Sequence, residues 1–161
     1  MERTESRTSA KPAPGPTNGR NADEARIRAG VESWTRAVST KDAEAAMALY
    51  AQDVRSFELA PPLQMQGLPA VREALQEWLS GWKKLSFDVR DLEVHASGDS
   101  GYACFLNHLV GTSNDGDPMD LWVRVTLGLR KQGERWLVAH EHVSVPFHMD
   151  GSMRAALDLK P

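Results

Sequence analysis

The run His140-Glu141-His142 carries the densest set of titratable side chains in the sequence. In an extended segment side chains alternate between two faces, so both histidines share one face and Glu141 lies on the other. Two histidines at this spacing could share a metal ion, but a zinc site needs a further protein ligand at about 2.0–2.2 Å. His108 or Glu58 could supply it, and nothing in the sequence requires it. We therefore expect no metal, and we leave open which face the histidines occupy.

A second polar pair, Asn107-His108, interrupts an otherwise apolar segment from Tyr102 to Val110. A buried polar side chain without a partner costs about 1–3 kcal/mol, so the one that faces inward should bind something. By alternation only one of the two can face a pocket. The sequence does not indicate which, and both are candidate substrate-binding residues.

Several classes of chemistry lack their motifs. The chain has no Gly-x-Ser-x-Gly turn, no phosphate-binding loop and no dinucleotide fingerprint, so we expect no nucleotide cofactor and no serine-hydrolase mechanism. Its single cysteine, Cys104, excludes a disulfide within the chain. Basic residues are scattered at a net charge of −3, which argues against a nucleic-acid partner. No apolar run reaches the roughly 18 residues of a membrane span and no secretion signal is visible, so we expect a cytoplasmic protein.

Helices are predicted in the first half of the chain. Asp23 is a plausible N-cap for a first helix, whose apolar side chains recur with helical spacing at Ile27, Val31, Trp34 and Val38. Asp42 can cap a short second helix. Gly67-Leu68-Pro69 opens a third helix, with proline in its first turn.

The second half changes to the alternation of β-strands. Four strand-length segments are separated by turn signals rich in Gly, Asn and Asp: 85–95, 102–112, 120–131 and 136–146. A short extended piece, 54–59, lies between the helices. Helices followed by strands indicate an α+β domain, with three helices packed on a strongly curved antiparallel sheet. We place this domain at 23–148, between a disordered N-terminal tail, 1–22, and a C-terminal tail, 149–161.

The order of elements resembles the nuclear-transport-factor-2-like superfamily, in its SnoaL-like and ketosteroid-isomerase-like branches. The resemblance covers about residues 23–147. It is carried by Lys41-Asp42 with Ala48-Leu49-Tyr50-Ala51-Gln52-Asp53, by Gly67-Leu68-Pro69-Ala70-Val71-Arg72, and by the run from Trp136 to Ser144. These motifs imply a cone-shaped fold around a small pocket. They are weaker for function, because this superfamily hosts isomerases, dehydratases, cyclases and non-catalytic binders.

The resemblance implies roles for particular residues. Glu58 falls where the ketosteroid isomerases carry their general base, and burial would raise its pKa toward neutrality. Trp34 falls where they carry a tyrosine that donates to the oxyanion, and an indole N–H can donate a hydrogen bond but not transfer a proton in this role. The second acid that forms the oxyanion hole of the isomerases would correspond to a position near Trp122 or Val123. Neither is an acid, so steroid isomerisation itself is not expected.

The resemblance also orients the last strand. In related proteins the face that corresponds to Glu141 looks into the cone, which would make Glu141 a second pocket carboxylate. The remaining candidate substrate-binding residues are Tyr50, Phe57, Trp78 and Val123. On this orientation the outer sheet face carries Trp136, Val138, His140 and His142, which is too apolar for plain solvent exposure and predicts a homodimer through that face.

Two functions remain open from the sequence. The first is a cofactor-independent isomerase, dehydratase or cyclase, in which Glu58 and Glu141 move protons on a small apolar carbonyl compound. The second is a non-catalytic ligand-binding or oligomerisation domain of the same fold. Burial and convergence of the two carboxylates would favour the first.

Overall fold

The computed structural model describes residues 16–161, with side chains from residue 19 onward. Within this range the chain forms three helices and six strands: α1 Pro16–Ser39, α2 Ala43–Met47, β1 Tyr50–Phe57, β2 Met65–Gln66, α3 Leu68–Ser80, β3 Trp82–Ser97, β4 Ser100–Ser113, β5 Pro118–Gln132 and β6 Arg135–Ser144. The predicted α+β class and the order of its elements are confirmed.

The first helix begins earlier than its sequence signals predicted. It starts at Pro16, a residue that is well tolerated in the first turn of a helix, so the expected boundary of the tail at residue 22 was wrong. Asp23 lies inside the helix and does not cap it. Its carboxylate instead accepts hydrogen bonds from Trp136 Nε1 at 3.1 Å and Lys131 Nζ at 3.0 Å. The rest of the predicted tail, 1–15, lies outside the described residues.

The other two helices begin where their capping residues predicted. The Asp42 side chain accepts a hydrogen bond from the Ala45 backbone N–H at 2.9 Å and caps α2. Gly67 precedes α3 with φ 86°, a left-handed conformation that favours glycine, and Pro69 lies in the first turn. The apolar face of α3 is buried at Leu68, Val71 and Leu79. The two helices contact each other and cover the concave side of the sheet together with α1.

The strands form one sheet in the order β2-β1-β6-β5-β4-β3. The four long strands make the predicted antiparallel meander. The prediction of a wholly antiparallel sheet was wrong at one pair, because β1 runs parallel to β6. A parallel neighbour is possible because α3 and the meander separate these strands in sequence, which leaves a long crossover. This pairing places the end of β1 beside the end of β6.

The sheet is curved, and its strand pairing is interrupted at several positions that allow the strands to bend. Irregularities interrupt the pairing of β3 with β4 at Trp82/Lys84 and at Arg90/Glu93, and that of β5 with β6 at Gly128/Leu129. Asp91, inside one of them, has φ 56°. An extra residue in one strand bends it and increases its twist, so these bulges allow long strands to wrap around the helices.

The bulge in β6 changes which residues face the core. Leu129 pairs with Val138 and Gly128 pairs with His140, so Ala139 is the extra residue. Before it Trp136 and Val138 are buried, and after it Glu141 is buried. The expectation that Trp136 and Val138 lie on the outer face was therefore wrong, because one inserted residue reverses the alternation.

The C-terminal segment, 149–161, folds back on the domain. Phe147 forms an isolated bridge with Ala155, and the Ala156 N–H donates to the Pro146 carbonyl at 2.8 Å. Ala156 is only 4% exposed. Among the described residues, none of the helices is both long and apolar enough to cross a membrane.

Candidate functional site

The end of β1 brings a serine and a glutamate together. Ser56 is fully buried, and its Oγ lies 2.5 Å from Oε1 of Glu58, two positions along the chain. Residues two apart in a strand share a face, so both side chains point toward the helices. Glu58 is half-buried, and the next residue, Leu59, is 47% exposed. The carboxyl group of Glu58 therefore lies between the interior and the surface.

Glu141 approaches the same place from β6. The parallel register pairs it with Ser56, and only 6% of it is exposed. The Tyr50 hydroxyl, at the start of β1, donates a hydrogen bond of 2.8 Å to Oε2 of Glu141. Glu58, Ser56, Glu141 and Tyr50 thus form one buried polar group, which we call the carboxylate cluster.

Burial dominates the electrostatics of the cluster. It raises the pKa of Glu58 above its ordinary value, partly offset by the hydrogen bond from Ser56 and by the nearby His142. The pKa of Glu141 is raised to about 8, first by burial and then by the negative charge of Glu58, while the hydrogen bond from Tyr50 opposes the shift. Burial, with the charge of Glu141 second, also raises the pKa of Tyr50 well above its usual range.

These shifts have a chemical consequence. Two neighbouring carboxyl groups in a poorly solvated site do not both ionise, because their like charges repel, and one proton stays with the pair. Near neutral pH the cluster therefore holds both a proton to give and a carboxylate to accept one. This is the composition that general acid–base chemistry requires.

An aromatic wall lines the helix side of the interior. The ring of Phe87 is met edge-on by Trp34, with centroids 5.7 Å apart, and by Trp78, at 5.9 Å. Trp34 Nε1 is buried and makes no hydrogen bond within the described residues. It lies near enough to the Tyr50 hydroxyl to lower the pKa of Tyr50, although the pair lacks the geometry of a full hydrogen bond. The indole N–H is therefore an unused donor beside the cluster.

The structure decides between Asn107 and His108. Asn107 is 3% exposed, and its Oδ1 has no hydrogen-bond partner among the described residues. Its register partner on β5 is Val123, which is also buried. His108 points the other way: it stacks on Trp122 with centroids 4.4 Å apart and contacts Asp120 at 2.8 Å. The expectation that His108 could line the pocket was wrong, because alternation in β4 puts Asn107 inside.

Phe57 was also predicted inside and lies outside. Its ring meets His140 edge-on at 4.9 Å and His142 at 5.8 Å. The parallel register pairs Phe57 with His142, so both occupy the face opposite to Ser56 and Glu141. His140 Nδ1 also contacts the Arg55 carbonyl at 3.0 Å. The open question about the histidines is thereby answered: they lie on the outer face of the sheet, where His142 is still near enough to Glu58 to lower its pKa.

Of the predicted site residues, the structure brings together Glu58, Glu141 and Tyr50, with Trp34 close by. Trp78, Asn107 and Val123 lie on the inner walls. Sequence reasoning missed Ser56, which contacts one carboxylate and faces the other. The alternation of β1 could have revealed it, since Ser56 is two positions before Glu58. Phe87, the centre of the aromatic wall, gave no signal beyond its apolar character.

Neither of the two clefts that stand out on the described surface reaches the cluster. One, of about 610 Å³, lies between the end of α1, the start of β3 and the end of its neighbour β4. The other, of about 410 Å³, adjoins it between α2 and the end of α3. Glu58 and Glu141 line neither of these two clefts.

In the part of the chain that the structure describes, no group of three or more His, Cys, Asp or Glu side chains is arranged to hold a metal ion. The outward histidines contact a backbone carbonyl and an aromatic ring. The polar groups of the interior are the carboxylates, hydroxyls, amide and indole described above.

Comparisons with known proteins agree with this architecture. A family model for the SnoaL-like domain matches residues 27–148. A nuclear-transport-factor-2-like protein of unknown function from Pseudomonas putida is 34% identical, with a TM-score of 0.79, over 88% of this chain and 98% of that one. A sequence comparison with curated proteins finds no match.

More distant structures share the fold alone. A candidate dehydratase of the nuclear-transport-factor-2-like family from Streptomyces avermitilis is 15% identical, with a TM-score of 0.71, over 80% of this chain and 99% of that one. A superfamily protein from Salmonella enterica is 16% identical, with a TM-score of 0.74, over 83% and 98% of the two chains.

Proposed function

Because the chain belongs to the SnoaL-like family of nuclear-transport-factor-2-like proteins, we propose that its interior is a small-molecule site and that it is a cofactor-independent acid–base enzyme. Its substrate would be a small, largely apolar carbonyl compound. The observation that carries this proposal is the carboxylate cluster. Burial raises the pKa values of both Glu58 and Glu141, the charge of Glu58 contributes to raising that of Glu141 to about 8, and the pair retains one proton near neutral pH.

The two carboxyl groups have different environments and so different roles. Glu141 is the more deeply buried, and with a pKa of about 8 it carries the proton at neutral pH. Glu58 lies nearer the surface, where a substrate can reach it, and its raised pKa makes it a stronger base than a solvated glutamate. In the proposed mechanism Glu58 removes a proton from the carbon next to the carbonyl. Ser56 stabilises the negative charge of Glu58 through its hydrogen bond, and the protonated Glu141 adds no second negative charge beside it.

The developing enolate oxygen needs a donor, and Trp34 supplies one. Its indole N–H is buried and unpaired among the described residues, so donating to the substrate breaks no existing hydrogen bond. A fixed donor in a poorly solvated site stabilises charge that develops in the transition state. The aromatic wall of Trp34, Phe87 and Trp78 would hold an apolar substrate and keep water from the enolate.

Three outcomes are compatible with this first step. The proton taken by Glu58 can return to a different carbon, which is an isomerisation. It can leave with a hydroxyl group of the substrate as water, which is a dehydration. The enolate can instead attack a second carbonyl carbon of the same molecule, with the new alkoxide taking up the proton, which is a cyclisation. All three need the same base and the same oxyanion donor.

The alternative function is a non-catalytic binding or assembly domain. One observation favours it: neither cleft on the described surface is lined by Glu58 or Glu141. Under this alternative the carboxylate cluster would be structural, and its raised pKa values would reflect burial alone. The two functions differ in whether Glu58 exchanges protons with a bound carbonyl compound.

The test is exchange of carbon-bound protons for deuterium. Wild type would be incubated in D2O near neutral pH with simple enolisable ketones, such as 2-tetralone and 3-cyclohexenone, and followed by proton NMR. We expect exchange that Glu58→Gln reduces at least about a hundredfold, since removing a general base typically costs two to four orders of magnitude. Glu73→Gln is the matched control, because Glu73 is an exposed glutamate of α3 outside the cluster.

Equal exchange by wild type and Glu58→Gln would reject the proposed role of Glu58. Binding of these ketones without exchange, seen as shifts in the tryptophan indole signals, would instead support the binding-domain alternative.

A further inference from the structure

A cleft of about 610 Å³ lies where α1 ends against the starts of β3 and the end of β4, away from the carboxylate cluster. Its lining is basic and hydroxylic over an apolar floor, and it contains no acidic side chain: Ser39, Thr40, Lys41, Lys83, Lys84, Leu85, Ser86, Val110, Gly111 and Thr112. We call it the lysine cleft. Three of its ten residues are lysines, in a chain whose net charge is −3.

The positive charge of the lysine cleft is not neutralised by neighbours. Among the described residues, Lys41, Lys83 and Lys84 make no salt bridge. Acids of the adjoining cleft are already engaged. Asp42 caps α2, and Glu44 contacts Arg72 at 3.3 Å.

Asp88, two positions after Ser86, and Asp120 lie on the same face of the sheet as Ser86 and Val110. Asp120 is the register partner of Val110, and its carboxylate is contacted by His108 at 2.8 Å and by Lys160 at 3.8 Å. Ammonium groups that line one cleft without a salt-bridge partner repel one another, and a bound anion would relieve that repulsion.

Lys41 occupies a position at which glycine is the usual residue. It follows the last turn of α1 with φ 61°, and the bonds from its N–H to the Val38 carbonyl and from the Asp42 N–H to the Ala37 carbonyl form the C-terminal motif that favours glycine. A non-glycine residue is strained in this conformation. Strain of this kind can mark a functional position.

The side chain of Lys41 is held in place rather than mobile. Its Nζ donates to the Trp82 carbonyl at 2.7 Å, immediately before Lys83 and Lys84. This contact leaves two further N–H donors of the ammonium group for a ligand. It also positions the charge of Lys41 next to the other two lysines before any ligand binds.

We propose that the lysine cleft binds a small organic phosphate, with the phosphate on the three lysines and its apolar part against Val110. A doubly charged oxyanion matches a cluster of ammonium donors better than a single carboxylate does. Hydroxyl groups of Ser86 and Thr112 can add neutral hydrogen bonds. Val110 gives the apolar wall: it is 40% exposed and shares its face of the sheet with its register partner Ser86.

This site does not depend on the proposed enzyme activity, because Glu58 and Glu141 do not line the cleft. Phosphate binding could regulate the protein or position a substrate, and the proposal concerns binding alone. Its test therefore uses binding measurements and no turnover.

The experiment is an NMR titration of the full chain with phenyl phosphate, inorganic phosphate and phenol at constant ionic strength. We expect saturable shifts of the backbone amides of residues 39–41, 83–86 and 110–112. Phenyl phosphate should bind more tightly than inorganic phosphate because of the apolar wall, and phenol should not saturate. Lys83→Gln and Lys84→Gln should each weaken binding at least about fivefold, whereas Arg154→Gln, an exposed charge outside the cleft, should not.

Lys41→Gly separates binding from folding. Glycine relieves the backbone strain at φ 61°, so the melting temperature should stay the same or rise while phosphate binding weakens. Equal weakening by Arg154→Gln, or shifts spread over the whole surface, would mean non-specific attraction and overturn the proposal. Unchanged binding in both Lys83→Gln and Lys84→Gln would overturn it as well.

Discussion

Tyr50 and Glu141 lie 91 positions apart in the chain, and the hydroxyl of one donates a hydrogen bond of 2.8 Å to the carboxyl group of the other. The contact exists because β1 runs parallel to β6 and starts beside the middle of that strand. Both side chains are buried, so the bond is not weakened by competition with water. It links the candidate acid of the cluster to the strand that also carries Ser56.

The first prediction concerns stability against pH. The folded state raises the pKa of Glu141 from 4.5 to about 8, so between these values it binds more protons than the unfolded state. Stability should therefore fall as the pH rises through this window, by at most about 1.4 kcal/mol per pH unit for one proton. Glu141→Gln should make this slope shallower. Urea unfolding between pH 5 and 8, followed by tryptophan fluorescence, measures it.

The comparison uses slopes and not absolute stabilities, since the substitution itself can cost stability. Carboxyl groups with a lowered pKa, such as Asp23, act in the opposite sense and at lower pH, because their contribution is lost as the pH falls. An identical slope in wild type and Glu141→Gln would show that Glu141 titrates normally.

The second prediction tests the tyrosine–glutamate bond. The hydrogen bond from Tyr50 lowers the pKa of Glu141, so Tyr50→Phe should raise that pKa further. Carboxyl-carbon NMR of labelled glutamate measures the titration directly. Tyr102→Phe is the control, because the Tyr102 hydroxyl lies on the surface, 3.4 Å from Glu93. A lower pKa of Glu141 in Tyr50→Phe would contradict the proposed electrostatics.

The third prediction separates the donor role of Trp34 from its packing. Trp34→Phe loses an N–H that has no partner among the described residues, so only the smaller ring costs stability, about 1–2 kcal/mol. If the N–H stabilises an oxyanion, kcat for the exchange of ketone protons should fall tenfold or more, with a smaller change in KM. Trp78→Phe removes a similar volume from the same wall and should retain more of kcat. Equal losses in both variants would leave packing as the explanation.

The fourth prediction concerns the polar contacts of Asp23, which connect α1 to the sheet. Asp23 accepts hydrogen bonds from Trp136, Lys131 and Arg26, the last at 2.9 Å. Asp23→Ala leaves a buried indole N–H unpaired and should destabilise the fold by about 1–3 kcal/mol. Asp53→Ala, which removes an exposed ion pair with Arg130, should cost less than about 1 kcal/mol. Denaturant unfolding measures the loss of free energy of unfolding in each variant. Equal losses in Asp23→Ala and Asp53→Ala would contradict this account.

The fifth prediction is a homodimer through the outer sheet face. With Trp136 and Val138 placed inside, that face still presents Phe57, Trp122 and the outward histidines. Light scattering should give twice the mass of one chain for wild type. Trp122→Glu should give a monomer with an unchanged circular dichroism spectrum, and Gln132→Glu, at the exposed end of β5, should stay dimeric. A monomeric wild type at high micromolar concentration would reject the prediction.

Several features of this fold were readable from local sequence because local physics decides them. Asp42 caps its helix through a bond to a residue three positions away, and Pro69 begins another helix through its own restricted backbone. The apolar and aromatic composition of 102–112 predicted a strand, and alternation predicted that only one of Asn107 and His108 faces inward. Which of Asn107 and His108 that was depended on the neighbours across the sheet.

The errors have separate causes. The bulge at Ala139 reversed the faces of Trp136 and Val138, and β6 itself contains no glycine or proline that marks it. Phe57 was assigned to the interior beside Glu58, although adjacent residues of a strand face opposite sides. Asp23 is a residue type that often caps helices, but its hydrogen-bond partners Lys131 and Trp136 lie more than a hundred positions away.

The sequence by itself determined the α+β class, the order of helices and strands, and the presence of glutamates at positions 58 and 141. These follow from periodicity, capping and turn chemistry, which act over a few residues. The tertiary structure alone decided that β1 lies parallel to β6, that Ser56 faces Glu141, and that Tyr50 reaches it. Burial and charge coupling arise only when distant strands meet, so the raised pKa values of the two glutamates are properties of the fold.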